Sequence, residues 1–161
     1  MEASRGIVAA LSVSDKTGVP KENVGSVNVR AGWGIEGDAH AGMTHRQVSL
    51  LAMESVKHLQ LPDGGPVNPG MFAENITTAG FTLSTVQVGD CLRIGLVVLE
   101  VTQIGKACHA RCAISAMVGD CIMPREGVFT IVRQGGVIRV GDEIAHVTNR
   151  SGQIEGKVPC P

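Results

Sequence analysis

Apolar and polar positions along this chain alternate mostly with a period of two, over short stretches separated by glycine-rich breaks. Gly6 to Val13 is a Val- and Ala-rich run that reads as a first strand. Lys16-Thr-Gly-Val-Pro-Lys-Glu interrupts it as a surface turn through Gly18 and Pro20. Val24 to Arg30 alternates again, and Gln47 to Leu51 is a further short strand. Met53 to Leu59 carries Val56 and Leu59 three apart and predicts a short helix. From Val86 the pattern is β. Val86 to Ile94 alternates around a Gly89-Asp90 turn, Leu96 to Ile104 returns after Gly95, and Val137 to Ala145 repeats the device around Gly141-Asp142. Val128 to Gln134 followed by Gly135-Gly136 predicts a hairpin, and Asp142 to Val147 is the last strand. Many short strands and few helices predict a mainly β, single-domain barrel over residues 1–148, with 149–161 an aperiodic, flexible tail. Val88, Leu92, Val98, Val101, Val132, Val140 and Ile144 are its expected core.

Composition narrows this reading without changing it. The 161 residues suffice for one domain that buries roughly 70% of its unfolded surface. With one Trp, no Tyr and three Phe, the core must be aliphatic. A formal net charge of −1 supplies no field to gather nucleic acid or anionic membrane, and the lack of aromatics removes base-stacking platforms. No apolar run reaches the ~18 residues of a membrane span, and the N-terminus lacks a signal-peptide pattern. Five cysteines in irregular spacing do not resemble a disulfide framework. These features predict a cytoplasmic protein with reduced thiols.

Two stretches concentrate reactive groups. Gly105 to Ile114 places two thiols, an imidazole and two fixed positive charges within Lys106 to Cys112. It follows a strand and leads into a predicted helix starting near Arg111. A thiol in such surroundings is favoured as thiolate, which is both the nucleophile and the metal ligand. The plainer reading is a pair of small buried hydrophobes, and it fits Cys112, on the inward face of the helix, better than Cys108. Gly32 to Arg46 is the second stretch: four glycines, two histidines, two carboxylates and an Arg in a long loop, the kind of connector that carries function. The lone Trp33 argues that it packs onto something. Glycine allows close backbone approach to a ligand, so His40 and Arg46 are expected to line one cleft with Cys108. Lys106, Arg111 and Arg46 could hold a phosphate.

Other chemistries fit less well. Cys108, His109, Cys112 and Cys121 suggest zinc, yet only one pair has the spacing of structural sites. Cys108-x-x-x-Cys112 is one residue too long for a thioredoxin-type dithiol. Nucleophile-elbow, Walker and dinucleotide-binding fingerprints are absent. Asn68 and Asn75 sit where Asn shapes loops through local backbone hydrogen bonds.

Taken in order, Gly37-Asp-Ala-His-Ala-Gly42, His45-Arg-Gln-Val-Ser-Leu50, Gly70-Met-Phe-Ala-Glu-Asn-Ile-Thr77, Val88-Gly-Asp90 and Gly105-Lys-Ala-Cys108 resemble the MOSC domain family, first described at the C-terminus of molybdenum cofactor sulfurases. The likeness runs from about Gly6 to Val147. It implies a β-barrel of the pyruvate kinase type. It implies a molybdenum cofactor (molybdopterin) bound stably or in passing, with Cys108 as sulfur carrier through a persulfide or as the thiolate ligand of molybdenum. His40, Arg46, Glu74 and Asn75 fall in the family's motif-bearing loops and, with Lys106 and Arg111, are the implied cofactor-binding set. The chain carries no pyridoxal-phosphate desulfurase region, so a cysteine desulfurase is the implied sulfur donor, and a molybdenum enzyme or cofactor-biosynthesis protein the implied partner. The opposing readings are a non-catalytic module that stores or delivers the cofactor, and a zinc-stabilised structural domain.

Overall fold

The computed structural model describes residues 5–106 and 122–147. Eleven strands, β1 Arg5–Val13, β2 Glu22–Val24, β3 Ser26–Arg30, β4 Gly34–Ile35, β5 Val48–Ala52, β6 Ile76–Ala79, β7 Cys91–Ile94, β8 Val97–Ile104, β9 Val128–Gln134, β10 Gly136–Arg139 and β11 Glu143–Val147, carry the described chain. Two four-residue helices, α1 Met53–Val56 and α2 Met123–Glu126, and a 3₁₀ turn at Leu83–Thr85 complete it.

Seven strands close into a barrel in the order β1-β6-β5-β9-β8-β7-β11, with β11 returning to β1. All neighbours run antiparallel except β5 and β6. Gly6 permits a close approach beside the β1–β6 seam, because a Cβ there would lie 2.5 Å from the Ala79 carbonyl oxygen and 2.6 Å from Phe81. The pleat decides what fills the barrel. Val8, Leu11, Leu50, Ile76, Leu92, Leu99, Val101 and Ile144 belong to one wholly buried apolar cluster, and truncating such a leucine to Ala costs about 2–5 kcal/mol.

The next residues along β5 and β9 point the other way. Leu51 and Phe129 join Val56, Val67, Phe72, Ile122 and Met123 in a second cluster, separate from the first. A wall covered on both faces explains why Val48 to Leu51 is buried without alternation.

Several expectations need correction. Residues 24–30 are broken at Gly25, so that β2 pairs with β1 while β3 joins a separate sheet, β10-β3-β4. The Gly135-Gly136 hairpin does not form: β10 leaves β9 and pairs with β3. Gly135 makes the crossing possible, since a Cβ there would lie 2.5 Å from the Val29 carbonyl oxygen. Val88 and Val140 are exposed, although Leu92, Val98, Val101, Val132 and Ile144 are buried as expected. Each precedes a Gly-Asp turn, Val88 ahead of β7 and Val140 just past β10, so both lie outside the strands although the apolar alternation runs through them. Cys91 is disulfide-bonded, against the expectation of reduced thiols; spacing in sequence does not report proximity in the fold. The predicted helix near Arg111 and the tail 149–161 lie outside the described residues.

Candidate functional site

Phe129 points outward from β9, and two cations separated by sixty residues converge on its ring. The Arg46 guanidinium carbon lies 5.9 Å from the ring centroid and the Lys106 ammonium 6.0 Å. Arg46 is placed by the strand it leads into: the Gln47 N–H donates to the Thr130 carbonyl, and the Thr102 hydroxyl donates to the His45 carbonyl. Lys106 is placed by the exit from β8. Gly105 turns with a φ of 69°, its N–H donates to Gly127 at 2.7 Å, and the Lys106 N–H donates to Pro124 at 3.1 Å. A Cβ at residue 105 would collide with the Pro124 carbonyl oxygen, so glycine lets β8 end tightly against α2. Among the described residues neither cation has a carboxylate partner. Two positive charges held over one ring without a counter-charge favour an anion between or beside them.

The glycine-rich loop folds back on itself, with the Gly42 N–H donating to the Trp33 carbonyl at 2.7 Å. A Cβ at Gly42 would lie 2.9 Å from the Trp33 ring, so the tryptophan packs onto its own loop. The other end of the loop holds a buried ionic cluster. Asp38 Oδ1 accepts from the Lys21 ammonium at 2.7 Å and from the Ser14 N–H at 3.1 Å. Its Oδ2 accepts from the His40 N–H at 3.0 Å. The side chains of Lys21 and Asp38 are fully removed from water. Burial pushes the Asp38 carboxyl up, but the contacts with His40 and the Lys21 ammonium outweigh it and hold the group well below the usual carboxylate range. His40 Nδ1 lies 3.1 Å from the Lys21 nitrogen.

Glu74 and Asn75 are wholly buried, and their polar atoms serve the fold. Asn75 ties three strands together: its Oδ1 accepts from the Ser49 N–H at 3.0 Å and its amide donates to the Ser12 carbonyl at 3.1 Å. Glu74 accepts from the Phe72 N–H at 3.3 Å and the Thr77 hydroxyl at 2.9 Å. With no cation beside it, burial dominates and its carboxyl is raised.

Arg46 and Lys106 meet at Phe129, His40 belongs to the Lys21–Asp38 cluster, and Glu74 and Asn75 lie inside the loop that precedes β6. Cys108, Arg111, Cys112, Cys121 and Cys160 lie outside the described residues. Sequence reading does not single out Lys21 or Phe129, and Asp38 enters it only as part of the Gly37 to Gly42 motif. Lys21 looked like part of an exposed turn, and only its position after Pro20, ahead of a strand, hinted at a fixed place. No group of three or more potential metal ligands occurs among the described residues. A cavity of about 490 Å³ lies between α1, α2 and the 3₁₀ turn, lined by Phe81, Leu83, Val86, Ile104 and Val128, and among the described residues none of the expected site set borders it. No helix among the described residues is long and apolar enough to cross a membrane.

Comparison with known proteins gives one family. The model of the MOSC domain matches residues 37–145. No curated protein matches the chain. Among solved structures, the YuaD protein from Bacillus subtilis superposes with a TM-score of 0.70 at 18% identity, covering 92% of this chain and 99% of that one. YiiM from Geobacillus stearothermophilus gives 0.67 at 21% identity, over 92% of this chain and 78% of its own. YiiM from Escherichia coli gives 0.60 at 19%, over 92% and 71%. At these identities the likeness is one of fold.

Proposed function

Since the chain belongs to the MOSC domain family, we propose that it handles the molybdenum cofactor, with Arg46, Lys106 and Arg111 holding the cofactor's phosphate and pterin and Cys108 carrying sulfur or ligating the metal. The observation that supports this reading is the convergence on the Phe129 ring of Arg46 and of Lys106, which stands two residues before Cys108 in the chain. Arginine supplies a planar fork suited to phosphate, and lysine a compact charge. Both would meet the anionic end of a phosphorylated pterin, so the residues present fit the group. When bound, the cofactor supplies a molybdenum centre able to take sulfur.

Uptake of sulfur needs only the protein's own thiolate and a donor. Cys108 attacks the outer sulfur of a cysteine desulfurase persulfide; a new S–S bond forms, the donor's S–S bond breaks, and the desulfurase thiolate leaves. Cys108 then carries the sulfane sulfur, and no external oxidant or reductant is required.

Incubation with a cysteine desulfurase and cysteine tests this by intact mass. A gain of about 32 Da, one sulfur, is expected on the wild-type protein and not on Cys108→Ser. Molybdenum and pterin fluorescence of protein from a molybdate-fed host should fall about tenfold or more in Arg46→Ala and Lys106→Ala, the loss of roughly one charge-assisted contact each. Sulfur uptake that survives Cys108→Ser but not Cys112→Ser would assign the role to the other thiol. Cofactor retention without any persulfide would select the storage and delivery role, and stoichiometric zinc without pterin the structural one.

A further inference from the structure

The Lys21–Asp38 pair fixes more than the loop. Lys21 has only donors to offer, and His40 Nδ1 is 3.1 Å from its nitrogen. The alternative, Nδ1–H donating to Asp38 Oδ2, spans 3.5 Å and would set two donors against each other across the shorter distance. Asp38 is already engaged, by the ammonium and Ser14 N–H on one oxygen and by the His40 N–H on the other. Nδ1 is therefore the acceptor, and the ring proton belongs on Nε2. Lys21 and Asp38 are fully buried while the His40 side chain is 18% exposed, so the ring's accessible part lies away from the pair. Among the described residues nothing hydrogen-bonds Nε2.

We infer that Lys21 and Asp38 lock His40 as its neutral Nε2–H tautomer, which makes His40 a hydrogen-bond donor to an acceptor atom of the bound ligand rather than a base. Lys21 and Asp38 are positioning residues; His40 is the one that touches the ligand. The acceptor is a phosphate oxygen, carbonyl oxygen or ring nitrogen, all of which a phosphorylated pterin carries. This ligand assignment rests on the cofactor reading above, whereas the tautomer does not.

The tautomer is read in ligand-free wild-type protein by long-range proton–nitrogen correlation at neutral pH, with the His40 ring signals assigned by their loss in His40→Gln. The expected pattern has the protonated nitrogen coupled to both carbon-bound ring protons, which only Nε2–H gives. Protonation at Nδ1, at both nitrogens, or an average of the two tautomers would overturn the inference. Lys21→Met should release the lock and give a tautomer mixture; if that variant does not fold, the wild-type spectrum still decides.

The donor role is tested with two amides. Gln can place its NH₂ near the position of Nε2, and Asn near that of Nδ1. Molybdenum and pterin retained on purification should stay within about threefold of wild type in His40→Gln and fall about tenfold or more in His40→Asn, the loss expected for one hydrogen bond. Equal retention by the two overturns the donor role. A wild-type protein that retains no cofactor overturns the function proposed above and the ligand half of this inference with it, while the tautomer is settled separately by the spectrum.

Discussion

Asp38 and Glu74 are both carboxyl groups taken out of water on neighbouring loops, and the protein treats them in opposite ways. Asp38 is given a full counter-charge, Lys21, and its carboxyl is held well below the usual range. Glu74 is given only neutral donors, the Phe72 and Gly70 N–H groups and the Thr77 hydroxyl, and its carboxyl is raised. Desolvation is the largest influence on each, and at Asp38 the contacts with His40 and the Lys21 ammonium together reverse its direction. The teaching is about function as well as stability. A buried charged pair can orient a neighbour such as His40, whereas a buried, easily neutralised carboxyl can only hold a loop.

The comparison breaks most severely when the counter-charge is removed. Lys21→Met leaves Asp38 buried without its counter-charge, and stability should fall by about 3–5 kcal/mol, as for other buried pairs deprived of one partner. Adding Asp38→Asn should recover part of that loss, because no charge then remains uncompensated. Urea denaturation of the two variants checks both statements. A loss below about 1 kcal/mol in Lys21→Met would mean the pair contributes no more than a surface ion pair does.

Gly70 is the joint between the two regions. Its φ is 92°, its carbonyl accepts from the Lys21 N–H at 2.8 Å, and its own N–H reaches Glu74. A Cβ there would lie 2.5 Å from the Lys21 carbonyl oxygen and 2.8 Å from the Ser12 hydroxyl. Gly70→Ala should cost about 2–4 kcal/mol in thermal or urea unfolding, from backbone strain and crowding together.

The two carboxyls should also be separable by pH. Asp38 titrates lower in the folded protein than in the unfolded chain, where the value is about 3.9, so its contribution is complete above that value and is lost as pH falls towards the folded one. Glu74 titrates higher when folded than its unfolded value of about 4.3, so its contribution is complete below that value and is lost as pH rises through the folded one. Glu74→Gln removes the second slope. Unfolding free energies measured across the acidic to neutral range should show the Gln variant gaining on wild type as pH rises. A difference that is flat in pH would mean Glu74 is no more burdened by burial than an exposed glutamate.

What the sequence made legible follows from these contrasts. The barrel was legible because short apolar runs and Gly-Asp turns are local signals: residues 97–104 and 128–134 are such runs, and Gly89-Asp90 and Gly141-Asp142 stand just ahead of β7 and β11. The partner of β10 was not, because Gly135-Gly136 has the same letters whether the chain turns back on β9 or crosses to β3. Arg46 and Lys106 could be proposed as a pair from their chemistry, yet Phe129, the ring they share, is one aromatic in an apolar strand and announces nothing. Lys21 was invisible for a deeper reason. A lysine beside Gly and Pro reads as solvated, and only the fold brings Asp38, seventeen residues later, within 2.7 Å of it.

The smallest effect offers the finest test of the loop's design. Ala73 stands three residues after Gly70 and is the only non-glycine residue with positive φ, 63°, among the described residues. A left-handed alanine costs roughly 1–2 kcal/mol, which glycine would avoid. Two effects oppose the exchange: glycine raises the entropy of the unfolded chain by about 0.5–1 kcal/mol, and the alanine methyl packs against the outer cluster containing Phe72, a contact worth up to about 0.8 kcal/mol. The contributions nearly cancel, so Ala73→Gly should change stability by less than about 1 kcal/mol where Gly70→Ala loses several times that. If Ala73→Gly instead costs 2 kcal/mol or more (roughly the loss of a well-packed buried group), the methyl contact and not the backbone shape is what holds Glu74 and Asn75 in register, and Ala73 belongs to the packing of the site's outer wall.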